Sequence, residues 1–216
     1  MKIDLHVHSV YSDGDSIEKI IAFAKLRGLS GLAICDHGTI KGAIEASKIT
    51  RDLLIVPGAE VSTDTGHVLV LGVQESPPRE KMEYFELIDW VKERDGITVL
   101  AHPATLLKLN QKLLEKKVDA VEVYNSLYPI FWLGIKISNA VAEKLQVSKV
   151  GGSDAHRAEN VGLCYTTLPP CNNADELIEA IKRKQTKPYG TPSPILTRLH
   201  TTAHFLKTML LNHTEI

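Results

Sequence analysis

A chain of 216 residues that sets 25 Lys and Arg against 26 Asp and Glu carries a net charge of −1 at pH 7. The length suits one large domain, and the balance leaves no global basic surface for nucleic acid or membrane. Cys35, Cys164 and Cys171 form no CxxC pair and leave one over, so free thiols in a reducing cytoplasm are expected, and neither a membrane span nor a signal peptide is read.

The first predicted element is the strand KIDLHVH, in which Asp4, His6 and His8 alternate with Leu5 and Val7. A period of two puts the three polar side chains on one face. An amphipathic helix follows in SIEKIIAFAKLRG, with Ser16 as its cap and Gly28 as its stop. LAIC is strand-like and IKGAIEASKIT is helical; LLIVPGAEV and HVLVLGV are strands. KMEYFELIDWVKERDG reads as a helix ending at Gly96, ITVLAH as a strand, LLKLNQKLLEKK as a helix and DAVEVYN as a strand. A helix near 130–145, the strand SKVGGSD and a helix near 174–184 complete the pattern. From Pro188 an irregular tail with a short terminal helix is expected. Alternating β and α elements predict an α/β fold with a largely parallel sheet of about seven strands.

Five strands in this map end in unusual residues. His6 and His8 close the first, Asp36 and His37 follow the second, and Glu60 ends LLIVPGAE. His102 ends ITVLAH, and Asp154 and His156 follow SKVGG. His67 is the exception, since it begins its strand. In a parallel α/β barrel the strand C-termini open on one face, where active sites are built. These residues should therefore converge, with Asp13 reaching the rim from the loop after the first strand. Packing so many imidazoles and carboxylates together without metal would bury uncompensated polar groups. Mixed His and carboxylate donors suit Zn, Mn or Fe, and their number exceeds the capacity of one ion, so two to three divalent ions per chain are expected. Glu60, with two oxygens, is the natural bridge.

In order along the chain, MKIDLHVHSVYSDG, CDHGT, PGAE, the later His67, AHP and GGSDAH resemble the motifs of the PHP (polymerase and histidinol phosphatase) family. The closing stretch from GLCYTTLP through AIKRKQTKPYG resembles the segment that ends many members. The resemblance implies a distorted seven-stranded (β/α)7 TIM-like barrel over residues 1–190, with 191–216 as a C-terminal extension. It also implies a trinuclear metal site held by His6, His8, Asp13, His37, Glu60, His67, His102, Asp154 and His156. Glu60 would bridge two ions near His6, His8, His67, His102 and Asp154, and Asp13, His37 and His156 would hold the third. Many relatives carry histidine in place of Asp13, and DHD where this chain reads DHG with Gly38.

Such a site performs phosphoester hydrolysis, with hydroxide activated by a di- or trinuclear cluster as the nucleophile. Asp154 or His156 would assist proton transfer. Arg157 is the candidate phosphate clamp, because a guanidinium pairs bidentately with phosphate; a plain surface arginine is the alternative. Glu122 and Asn125 would support the ligands, and Asp4 and Asp36 would orient ligand imidazoles. Ser153 and Thr39 are explained by turn hydrogen bonding. Lys112, Lys116 and Lys117 read as a solvated helix face, as do His200 and His204. A small phosphomonoester (a nucleotide, a sugar phosphate or a compound like histidinol phosphate) is the expected substrate. The alternatives are a 5'-3' exonuclease on short oligonucleotides and a non-catalytic metal-binding accessory domain. A nuclease needs an extended basic groove, which the balanced charge disfavours, and nine retained ligands argue against a non-catalytic role. Only about thirty-five residues separate His67 from His102, so no inserted module marks a nucleotide site.

Overall fold

In the computed structural model, which describes residues 1–106, 110–199 and 201, the chain alternates between strands and helices for most of its length. β1 (Lys2–Val7), α1 (Ile17–Leu26), β2 (Gly31–His37), α2 (Lys41–Ile49) and β3 (Leu54–Thr63) form the first half. β4 (Gly66–Leu71), β5 (Lys81–Met82), α3 (Tyr84–Lys92), β6 (Ile97–Leu100) and α4 (Lys112–Glu115) follow. β7 (Ala120–Asn125), α5 (Phe131–Leu145), β8 (Ser148–Gly152), β9 (Cys164–Thr167), α6 (Ala174–Lys182) and β10 (Lys187–Gly190) complete it.

The sheet runs in the order β10-β9-β1-β2-β3-β4-β6-β7-β8. The ring closes between β1 and the segment just beyond β8. The Asp154 N–H donates to the His6 carbonyl at 2.8 Å, the His8 N–H donates to the Ala155 carbonyl at 3.0 Å, and Val7 bridges Ala155 in parallel. β1, β2, β3, β4, β6, β7 and β8 thus form a nearly closed barrel of the kind expected. β9 and β10 extend the sheet antiparallel beyond the N-terminal end of β1, and β5 adds to β3. All seven ring strands feed one interior cluster, through Leu5, Cys35, Val56, Leu69, Val99, Ala120 and Val150, and Leu177 and Ile181 of α6 join it. Burying these side chains is the main stabilising contribution, roughly 1.5–3 kcal/mol for each large one. Outside the ring, Ile17 and Ile20 of α1 and Ala43 and Ala46 of α2 pack on Leu32 and Ile34. Leu87 and Val91 of α3, with Ala142 and Leu145 of α5, cover Val68, Val70 and Val121.

Three features differ from the sequence expectation. Lys81 and Met82 pair with the end of β3, so α3 begins later, capped by Glu83, which accepts from the N–H groups of Phe85 and Glu86. The helix expected from LLKLNQKLLEKK is limited to α4 among the described residues; part of that stretch, like His200 and His204, lies outside them. Pro188 sits inside β10 rather than in an irregular tail, whereas the helical residues 195–199 match the short helix expected there. β10 is an edge strand, where proline's missing N–H costs no ladder bond. No helix among the described residues is long and apolar enough to cross a membrane.

Candidate metal centre

The direction of β4 resolves the anomaly of His67. Within the ring, β1, β2 and β3 are parallel and so are β6, β7 and β8, but β4 is antiparallel to both β3 and β6. The start of β4 therefore lies at the rim where its neighbours end. His67 at the start of a reversed strand reaches the same face as Glu60 and His102.

β1 does not alternate strictly. Asp4 pairs with Leu32 and Val7 with Ile34, so three steps along β1 match two along β2. This bulge breaks the expected common face. His6 and His8 reach the cluster, whereas Asp4 braces backbone, accepting from the N–H groups of His6, Ser153 and Gly162 at 3.2, 2.8 and 2.7 Å. Burial outweighs these donors and pushes the Asp4 carboxyl up to about 6. Asp36 likewise ties down the loop carrying Asp13, accepting from the Ser9 N–H and hydroxyl and from the Ser12 hydroxyl. Neither carboxylate orients a ligand imidazole directly, which corrects the sequence expectation for both. Gly42 leaves room for the Asp36 contact, since a Cβ there would fall 2.1 Å from Asp36 Oδ2.

The nine candidate ligands gather into three groups whose donor atoms lie within 4.8 Å of one another: His8, Asp13, His37 and His156; His6, His8 and Asp154; and Glu60, His67 and His102. Buried Glu60 joins them. Its Oε1 lies 2.9 Å from His67 Nδ1 and 3.1 Å from His102 Nε2. Its Oε2 lies 3.3 Å from His8 Nε2, 3.3 Å from His37 Nδ1 and 3.6 Å from His6 Nε2. Asp154 Oδ1 lies 3.4 Å from His8 and 3.5 Å from His6. Asp13 spans the outer group, 3.2 Å from His156 Nε2 and 3.6 Å from His37 Nε2.

Two candidate ligands sit in the left-handed backbone region that non-glycine residues avoid: His102 at φ 30° and Asp154 at φ 57°. Such strain persists only where surrounding contacts over-determine it, and it concentrates at functional sites. The electrostatics are strongly coupled. Burial opposes charge on both Glu60 and Asp154, yet the surrounding imidazoles hold each carboxyl well below the usual range. Burial likewise opposes charge on His6, but Asp154, Glu122 and Glu60 raise it well above 6.5. His156 rises to about 9 because Asp13 and Asp154 outweigh its burial. Asp13 is partly buried, and its contacts with His156 and His37 lower it in spite of that.

The donor set fits divalent metal. Imidazole and carboxylate donors suit Zn, Mn or Fe, and His8 belongs to two of the groups while Glu60 of the third also faces His6, His8 and His37 of the other two. No buried side-chain N or O among the described residues lacks a hydrogen-bond partner, so the polar groups compensate one another, contrary to the expectation from sequence. They do so through contacts such as His6 Nε2 to His8 Nε2 at 3.1 Å, two ring nitrogens that can also converge on an ion.

Arg157 departs from the clamp expectation. Its exposed guanidinium is taken up by Glu159, with Nη2 and Nε donating to Oε1 at 2.6 and 3.2 Å. Thr39 makes turn contacts, with its hydroxyl near Ser76 and accepting from the Lys41 N–H. Ser153 contributes its N–H to Asp4 and its hydroxyl to the His6 carbonyl. Lys112 and Lys116 make ion pairs at the surface, Lys112 with Asp64 and Glu83 and Lys116 with Asp89.

Comparison with known proteins agrees with this geometry. The model of the PHP domain matches residues 4–128, and that of the PHP-associated region matches 136–186. The uncharacterized protein MJ0417 of Methanocaldococcus jannaschii is 30% identical over 183 residues, spanning 80% of this chain and 72% of the relative. A phosphoribosyl 1,2-cyclic phosphate 1,2-diphosphodiesterase of Eggerthella lenta is 40% identical over 84 residues, which are 35% of this chain and 32% of the enzyme. Among solved structures, a two-domain protein from Bacteroides vulgatus, described as containing a predicted PHP-like metal-dependent phosphoesterase, superposes with a TM-score of 0.73 at 18% identity. The match covers 88% of this chain but 65% of that one, so this chain spans just under two thirds of the larger protein. With the domain model matching more than half its length, the chain belongs to the PHP domain family.

Proposed function

We propose that the chain is a metal-dependent phosphoesterase whose substrate is a small phosphomonoester. The observation that carries the reading is the convergence of nine His, Asp and Glu side chains in three neighbouring groups joined through Glu60. Divalent ions held by these side chains would supply a water of lowered pKa and an electrophile for the phosphoryl oxygen. Glu60 holds the inner and outer groups at fixed separation. His156 Nδ1 lies 3.0 Å from the Asp154 carbonyl, which only accepts, so with an ion held at the site the ring proton would stay on Nδ1 and Nε2 would face the ion. Asp154, buried among His6, His8 and His156, is the carboxylate positioned to take a proton from the attacking water.

The rim is partly open to solvent, through the half-exposed Asp13 and the imidazoles of His37, His67 and His156. That openness suits a substrate reaching the ions with its phosphate. A small anionic substrate also accords with the balanced net charge, which supplies no extended phosphate groove. The three free cysteines accord with a cytoplasmic location. A second reading, hydrolysis of a phosphodiester, is favoured by the similarity of part of the chain to the cyclic phosphate diphosphodiesterase. A substrate panel with Mn decides between them, comparing small phosphomonoesters, a cyclic phosphodiester and short oligonucleotides. Turnover concentrated on monoesters supports the proposal, and preferential cleavage of either diester class overturns it in favour of the second reading.

A further inference from the structure

Glu122 is fully buried on β7, among the ligands but outside all three groups. Its two oxygens are committed differently. Oε1 lies 3.0 Å from His6 Nδ1. Oε2 accepts from the backbone N–H of His102 at 2.9 Å and from Asn125 Nδ2 at 2.9 Å. The same Asn125 amide donates to Asp154 Oδ2 at 3.0 Å. One carboxylate and one amide thus hold the side chains of His6 and Asp154 and the backbone N–H of His102, the last two being the candidate ligands in left-handed conformation. Gly152 makes this approach possible, because a Cβ there would fall 2.4 Å from His6 Cβ and 2.8 Å from Glu122 Oε1.

We infer that Glu122 is a positioning residue that selects the tautomer of His6, and that with Asn125 it fixes His102 and Asp154 in ligand geometry. A carboxylate offers His6 only acceptors. The ring proton is therefore kept on Nδ1, and Nε2 keeps the lone pair that a metal needs. The inference rests on metal binding at the centre and not on any substrate.

The charge-free isostere gives a test that bulk alone does not mimic. In Glu122→Gln the amide oxygen is claimed at the Oε2 position, where two N–H donors already point. The amide nitrogen must then face His6 Nδ1, which turns that nitrogen into an acceptor and moves the ring proton to Nε2. Zinc titration of Glu122→Gln and Glu122→Ala, with the metal content of each measured, reads the effect directly. The expected result is an affinity loss of about ten- to hundredfold in Glu122→Gln, the usual scale for a residue behind a ligand, at least as large as in Glu122→Ala. A purely space-filling role predicts the reverse order, with Gln near the parent. Nitrogen NMR of the zinc-loaded parent keeps the idea falsifiable even if a variant misfolds, because His6 must show a protonated Nδ1 and a metal-bound Nε2. Metal bound through Nδ1, or an unchanged affinity in Glu122→Gln, overturns the inference. A parent that binds no zinc overturns it together with the proposed function, whereas failure of the Gln substitution alone leaves that function standing.

Discussion

His6 near the end of β1 and His8 just beyond it bring their Nε2 atoms within 3.1 Å of each other. Both rings turn toward Glu60 and Asp154. Like groups are held this close because each also faces a carboxylate. The contact marks where the inner groups meet the outer one, since His8 belongs to two of them.

Glu60→Ala removes a carboxylate that faces five imidazoles. Activity should be abolished and metal content should fall by more than one ion per chain. Asp13→Ala touches the outer group alone and should cost less activity and no more than one ion. Elemental analysis beside steady-state rates checks both. Equal metal content in Glu60→Ala and the parent would contradict the bridging role.

A pH dependence follows for protein stripped by chelator. His156 titrates at about 9 in the fold against an ordinary 6.5. A group raised by folding contributes stability that is complete below its unfolded pKa and is lost as pH rises through its folded pKa. His6, His37 and His102 are raised as well, so their contributions have the same sign. The melting temperature of the stripped protein should therefore fall between pH 6.5 and 9. A flat or rising melting temperature over that window would count against the coupled cluster.

Gly152→Ala places a methyl group against His6 and Glu122 Oε1. Overpacking of this kind costs about 1–3 kcal/mol, and here it also pushes a ligand out of line. Denaturant unfolding should show the loss, and zinc affinity should drop with it. Unchanged affinity would mean that His6 tolerates displacement.

Arg157→Ala tests the phosphate clamp. With the guanidinium paired to Glu159 at the surface, kcat/KM should change less than about twofold, in keeping with the small value of exposed ion pairs. A substrate clamp would instead lose about ten- to hundredfold on removal of a charge-assisted hydrogen bond. Steady-state kinetics at matched metal content separates the two.

The strands and their terminal His, Asp and Glu were legible because periodicity and residue type are local signals. His67 looked anomalous because strand direction is not local; only its antiparallel pairing with β3 and β6 explains it. The bulge in β1 was hidden for the same reason, and it separates Asp4 from His6 and His8. β9 and β10 are four residues each, too short to give a clear pattern, and Pro188 argued against a strand. DAVEVYN hinted at Glu122 and Asn125 as supports, but which ligand each one holds depends on contacts between β7, β8 and β1. Arg157 beside His156 suggested reach over the site, yet a carboxylate two residues on captures it.

The central claim, a metal cluster that hydrolyses small phosphomonoesters, is tested most directly by counting ions and turnover on the same preparation. Protein dialysed with Mn should hold two to three ions per chain and release inorganic phosphate from small phosphomonoesters. Chelator should abolish that release and restored Mn should recover it. At most one ion per chain, with no phosphate released in the presence of Mn, Zn or Fe, would contradict the account.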